Sequence, residues 1–237
     1  MRLDKFLADC GLGTRTEVKK MIRSGAVSVN GKPATKADIH ISPETDKVCA
    51  FGQETQYREF IYLMLNKPQG YISATRDGRT PTVMALVPDE YLHFEPFPVG
   101  RLDIDTEGLL LLTNDGDLAH RLLAPKKHIP KTYLAQIEKA VTDKDIEAFK
   151  QGVVLDDGYK TMPAALKDVS TGDEFRAEIV INEGKFHQVK RMFEAIGNKV
   201  LYLKRIKMNN LSLDETLPLG EIRELTNVEL ELLIPEK

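Results

Sequence analysis

Tryptophan is absent from the 237 residues, and cysteine occurs only as Cys10 and Cys49. Two cysteines so placed make neither a disulfide framework nor a zinc set, so a reducing cytoplasm is the expected location. The five histidines (His40, His93, His120, His128, His187) lack metal-ligand spacing, and no metal site is expected. No apolar run approaches the ~20 residues of a membrane span, so no membrane partner is expected either. The opening MRLDKFLADCG has an acid in its fourth position and no secretion-signal core.

A strong overall charge is also missing. The net value of −3 argues, taken alone, against a nucleic-acid partner. Its distribution argues the other way. Residues 1–36 hold eight basic side chains against three acidic, leaving +5 there and −8 on the remainder.

Within that basic segment, Leu3, Phe6, Leu7 and Cys10 fall at helical spacing, and Gly11 and Gly13 end the helix. Thr14 or Thr16 can cap a second helix that buries Val18, Met21 and Ile22. Arg15, Lys19, Lys20 and Arg23 occupy its other face. Val27 and Val29 then alternate with polar residues into Asn30-Gly31, a hairpin signal. This helix–helix–hairpin pattern resembles the RNA-binding module first described in a small-subunit ribosomal protein, the alpha-L motif. The matching residues are Arg2–Leu7, Thr14-Arg15, Val18, Ile22, Gly25, Val27 and Val29–Gly31. The resemblance implies RNA contacts from Arg2, Lys5, Arg15, Lys19, Lys20 and Arg23, reading shape more than sequence. Residues 41–59 mix Pro, Gly and charge like a closing strand and linker. We place a boundary near residue 58, with domains 1–58 and 59–237.

Strand patterns dominate the second domain: Phe60–Leu65, Lys131–Ile137, Glu174–Ile181 and Val200–Ile206. Helices are expected near Val83–Leu86, Leu118–Leu123, Asp143–Gln151 and Asn227–Leu232. A further helix in the 184–197 stretch shows an apolar stripe of Phe186, Val189, Phe193 and Ile196, with His187, Lys190, Arg191 and Glu194 opposite. Without a regular βαβ rhythm the fold class is α+β, a mixed and mostly antiparallel sheet with flanking helices.

The most informative stretch is Gly100–Asp117, GRLDIDTEGLLLLTNDGD. A charged turn carrying Arg101, Asp103 and Asp105 runs into four leucines apolar enough for a buried strand. A turn anchored in the core holds side chains rigidly, as a reactive group requires. A calcium loop fails at Glu107 and Asn114, which stand where that loop needs Asp or Asn and a bidentate Glu. Two acids at i,i+2 are more often structural than a glycosidase pair, and Asp105 with Thr106 suits turn architecture.

Gly100–Leu109 resembles the signature of the RsuA-type pseudouridine synthases. Three more blocks agree in order: Met64–Gly70, Lys131-Thr132-Tyr133 and Glu183–Phe193. The resemblance implies an isomerase that converts uridine to pseudouridine in RNA without a cofactor. It makes Asp103 the catalytic aspartate, Lys190 the cation that favours its ionised form, and Tyr133 the active-site tyrosine. Arg191 is the alternative partner for Asp103 and a further RNA contact. Arg101 is expected to fill the space left by the extruded base. Lys67-Pro68 is expected to support the floor of the site. The blocks look closer to the enzyme of the small subunit, so 16S ribosomal RNA in an assembling particle is the expected partner and a monomer the expected state. A large-subunit or tRNA target, or a non-catalytic assembly factor, are the alternatives.

Overall fold

A computed structural model of the chain describes residues 1–234. The chain forms two compact units: Met1–Ile61 together with Pro88–Pro96, and Tyr62–Val87 together with Phe97 onward.

In the first unit, α1 (Leu3–Asp9) and α2 (Arg15–Arg23) precede β1 (Val27–Val29), β2 (Lys32–Pro33), β3 (Val48–Ala50) and β4 (Gln53–Glu54); a single helical turn, α3 (Asp89–Leu92), joins later in the chain. Thr14 and Glu17 form a reciprocal capping box that starts α2. Asn30 and Gly31, both at positive φ (51° and 77°), make the tight turn between β1 and β2. The four strands pair antiparallel in the order β2-β1-β3-β4. Leu3, Phe6, Leu7, Val18, Ile22 and Val27 form their own core.

The second unit is built on β5 (Tyr62–Lys67), β6 (Phe97–Pro98), β7 (Glu107–Thr113), β8 (Lys131–Ile137), β9 (Ala165–Asp168), β10 (Arg176–Ile181), β11 (Val200–Met208), β12 (Leu211–Ser212) and β13 (Ile222–Glu224). The main path runs β13-β5-β7-β11-β8-β10-β9. Every pairing is antiparallel except β7 with β11, which lie parallel at the centre. The helices are α4 (Gly116–Leu123), α5 (Asp143–Gln151), α6 (Gln188–Ala195) and α7 (Asn227–Leu233). Mixed sheet plus interspersed helices makes this an α+β fold, as the patterning predicts.

The leucines of β7 are buried on both faces, at most 3% exposed. Leu109 and Leu111 pack with Leu118 and Leu122 of α4 and Leu233 of α7. At ~25 cal/mol per Å², four such side chains contribute several kcal/mol and hold the turn before them. One expected stripe is corrected. Phe186 lies outside α6 and is 70% exposed; Met192 takes the buried place beside Val189 and Phe193. His187 adopts the left-handed conformation (φ 49°), so the helix starts only at Gln188 and the ring before it turns outward. No helix among the described residues is long and apolar enough to cross a membrane.

Candidate active site

The turn that leads into β7 is held from within by Lys67, the last residue of β5. Its side chain is wholly buried and donates to three carbonyls: Pro68 (3.0 Å), Asp103 (3.1 Å) and Thr106 (2.9 Å). Three acceptors match the three donors of an ammonium group. Burial pushes Lys67 down to about 8, against the pull of Asp103, Asp105 and Glu107. The turn therefore closes through Lys67 and the Thr106 N–H, which donates to the Asp103 carbonyl at 3.0 Å. The Thr106 hydroxyl, expected to share in that closure, is buried with no partner among the described residues.

Lys190, in the first turn of α6, reaches both acids of the turn. Its Nζ lies 2.5 Å from Asp105 Oδ1 and 3.7 Å from Asp103 Oδ2. The first is a charge-assisted hydrogen bond; the second is an ion pair too long to be one. Partial burial pushes the Asp105 carboxyl up, but the hydrogen bond and charge of Lys190 outweigh it and hold it below the usual range. Asp105 is thus more than turn architecture, since it shares the cation with Asp103. His187 Nε2 stands 3.7 Å from the other oxygen of Asp103. Arg191 faces elsewhere: it binds Asp156 and Asp157, its Nε 2.7 Å from Asp156 Oδ1. That removes it as an alternative partner of Asp103.

Tyr133 and Arg205 sit directly opposite each other on the antiparallel pair β8 and β11, so their side chains share a face. Both are buried, at 7% and 2%. Arg205 Nε donates to the Leu109 carbonyl at 2.8 Å, while its Nη2 has no partner among the described residues. Arg101 is exposed on the turn. Asp103, Arg101, Tyr133, Lys190 and Arg205 all line one cleft of about 580 Å³, within the range of small-ligand sites. Lys131 lines it too, and burial lowers its ammonium to about 8, the charge of Arg205 adding to the effect. Five Lys and Arg side chains (Arg101, Lys131, Lys185, Lys190, Arg205) face two carboxylates, Asp103 and Glu183, in an otherwise largely apolar lining, a charge excess that suits an anionic ligand.

Residues 61–195 match the family model described as RNA pseudouridylate synthase, and residues 1–46 match the S4 domain. The chain belongs to the RNA pseudouridylate synthase family. It is an isomerase acting on RNA. An RNA pseudouridine synthase of Bacillus subtilis, YtzG, is 54% identical over 98% of each chain. Ribosomal small subunit pseudouridine synthase A of Haemophilus influenzae is 41% identical over 99% of this chain and 100% of its own length. A crystal structure of a pseudouridylate synthase superposes with a TM-score of 0.69 at 39% identity, covering 99% of this chain and 100% of that one.

In this pseudouridylate synthase the S4-matching unit presents Lys5, Arg15, Lys19, Lys20 and Arg23 as exposed side chains. Arg2 is different. Its guanidinium is bound by the buried Asp4 through Nε (3.0 Å) and Nη2 (2.8 Å), although it stays half-exposed.

Sequence reasoning did not assign Arg205. The signal was a charged residue at the same parity as Leu203 in an alternating strand, which places it inside. Also unassigned was the hub at Glu183, whose carboxylate accepts from the Tyr159 hydroxyl (2.6 Å), the Met162 N–H (2.9 Å) and Gln188 Nε2 (2.9 Å). Tyr159 and Met162 stand 24 and 21 positions from Glu183, beyond the reach of any local spacing.

Proposed function

We propose that this enzyme isomerises a uridine of 16S ribosomal RNA, with Asp103 as the carboxylate that acts on the sugar. The observation that carries the reading is that Asp103 lines the same cleft as Tyr133 and Arg205, with the Lys190 ammonium 3.7 Å from its carboxylate. A carboxylate acts as a nucleophile there only while ionised, and Lys190 holds a positive charge 3.7 Å from it. Tyr133 supplies a ring on which the extruded base stacks and a hydroxyl for proton handling at the base. Arg101, exposed at the cleft edge, takes the vacated place in the RNA with its planar guanidinium. No cofactor enters this scheme, because the base is detached, turned and rejoined through carbon on the same sugar.

The small-subunit target rests on relatives named ribosomal small subunit pseudouridine synthase A at 39–41% identity. The cations of α2 and Lys5 then bind structured RNA through its phosphates, with Arg2 adding its exposed edge. The same reading divides the chain into a binding domain, residues 1–58, and a catalytic domain, residues 59–237. It gives a cytoplasmic monomer acting on an assembling small-subunit particle, with Arg191 near the RNA but engaged by its own carboxylates.

The test pairs Asp103→Asn with a pseudouridine map of ribosomal RNA from a strain lacking the protein. Turnover should fall at least about 10³-fold while RNA affinity stays within a few-fold, and one 16S position should lose its pseudouridine. A variant that still turns over removes Asp103 from the reaction. An unchanged 16S map with a lost site elsewhere moves the target.

A further inference from the structure

Phe186 has no place in the mechanism above, yet its position is specific. Its ring is 70% exposed and stacks on His187, with centroids 3.7 Å apart and planes 18° from parallel. His187 Nε2 is in turn 3.7 Å from Asp103 Oδ1. The exposed ring therefore stands one aromatic layer away from the acid that the proposed reaction uses.

The exposure does not come from a loose loop. Arg191 Nη1 donates to the Phe186 carbonyl at 3.5 Å, and Arg191 is itself clamped by Asp156 and Asp157. On the other side, the Lys185 N–H donates to Gln188 Oε1 (2.9 Å), and Gln188 Nε2 to Glu183 (2.9 Å). His187 is held in the left-handed region, a strained conformation for a residue with a Cβ. These contacts pin the segment and present the ring outward.

Other rings of the cleft are unsuited to a second base. Tyr133 is 7% exposed and lies on the floor. Tyr159 gives its hydroxyl to Glu183 and has the Lys185 ammonium 4.6 Å from its ring centroid. The surroundings of Phe186 also select the occupant. Lys185 flanks it, Lys190 and Arg101 line the same cleft, and such a setting matches a flat base between two phosphates.

We propose that the Phe186–His187 pair is a stacking shelf for an RNA base adjacent to the modified uridine, a second base subsite on the rim of the cleft. This rests on the reading that the cleft holding Asp103 is where uridine is modified. The target base lies deep against Tyr133, and its neighbour is caught on the rim, so the strand is splayed between two aromatic levels.

The test uses the full-length protein and a 16S ribosomal RNA transcript, with Phe186→Ala, Phe186→Leu and Phe186→Trp. Loss of one stacked base should weaken RNA binding about 5- to 100-fold in the Ala and Leu variants, seen mainly in KM. Trp should restore affinity to within about threefold, because any π-face serves. A Leu variant as good as wild type, or an Ala variant without effect, overturns the shelf. As a second measurement, a trinucleotide with 2-aminopurine beside uridine should be quenched on binding the wild type and not on binding Phe186→Leu; equal quenching by both also overturns it. Asp103→Asn separates the two readings. If it keeps turnover, the active-site assignment fails; if it is inactive and the Phe186 variants behave as wild type, only the shelf fails.

Discussion

The backbone of Arg205 passes so close to Gly108 that a Cβ on that glycine would sit 2.2 Å from the Arg205 carbonyl oxygen. This is where the parallel strands β7 and β11 meet, Arg205 opposite Gly108. Gly108 also has φ +100°, which a side chain strains in any case. The close approach lets the Arg205 side chain reach the Leu109 carbonyl and brings α6, which precedes β11, toward the turn that precedes β7.

Gly108→Ala should therefore destabilise the fold by at least about 3 kcal/mol, since neither backbone can yield without breaking the strand pairing. Denaturant melts of the purified variant measure this. A loss under about 1 kcal/mol would show that the two strands separate readily.

Lys190 is expected to matter through its charge. In Lys190→Met the two carboxylates of the turn lose their shared cation, and the Asp105 carboxyl rises from its lowered value. Turnover should fall at least about 10²-fold, and Lys190→Arg should recover part of it because the charge returns in a different shape. Single-turnover kinetics give the comparison. Equal rates in the Met and Arg variants would mean that the charge is irrelevant.

RNA affinity should depend on salt through the exposed face of α2. Changing Lys19, Lys20 and Arg23 to Gln removes up to three phosphate contacts, so the slope of log K against log salt should flatten by about 2. Filter binding between low and moderate salt measures it. A parallel line with the same slope would place the RNA on another surface. The substitution tests this face better than cutting at residue 58, because Pro88–Pro96 belongs to the same unit and would be stripped of its packing.

Acid should loosen α7 first. The hydrogen bond from Arg223 brings Glu229 down to about 2, and burial opposes it less strongly. The folded carboxyl then binds its proton more weakly than the unfolded one. Its stabilisation is present above about pH 4.5 and is lost as pH falls toward 2, on the order of 1–3 kcal/mol. Glu229→Gln should lower stability at neutral pH and flatten its fall in acid. An unchanged acid profile would show that the pair contributes nothing.

Much of this was legible from local pattern. That pattern narrowed the cap of α2 to Thr14 or Thr16, of which the structure uses Thr14, and the Asn30-Gly31 turn and the buried leucines of β7 depend on residues a few positions apart. So does the exposure of the α2 cations, because burying a charged face without partners is unfavourable. The order of the family blocks, from Met64 to Phe193, was equally readable. Helix α6 was misjudged at its start, because a 3.6-residue stripe cannot reveal that His187 would leave the helical region and turn Phe186 outward.

The turn of Gly100–Asp117 shows what the sequence determined: an acid-bearing loop anchored by a buried strand, with Asp103 and Lys190 as the residues to examine. Tertiary structure decided how they meet. It put Lys190 between Asp103 and Asp105, sent Arg191 to Asp156 and Asp157, closed the turn with Lys67, and set Arg205 opposite Tyr133. Those contacts join residues 34 to 87 positions apart, with charges whose partners are chosen by distance in the folded chain. Local spacing carries no record of such distances, since they exist only once β7 and β11 lie side by side.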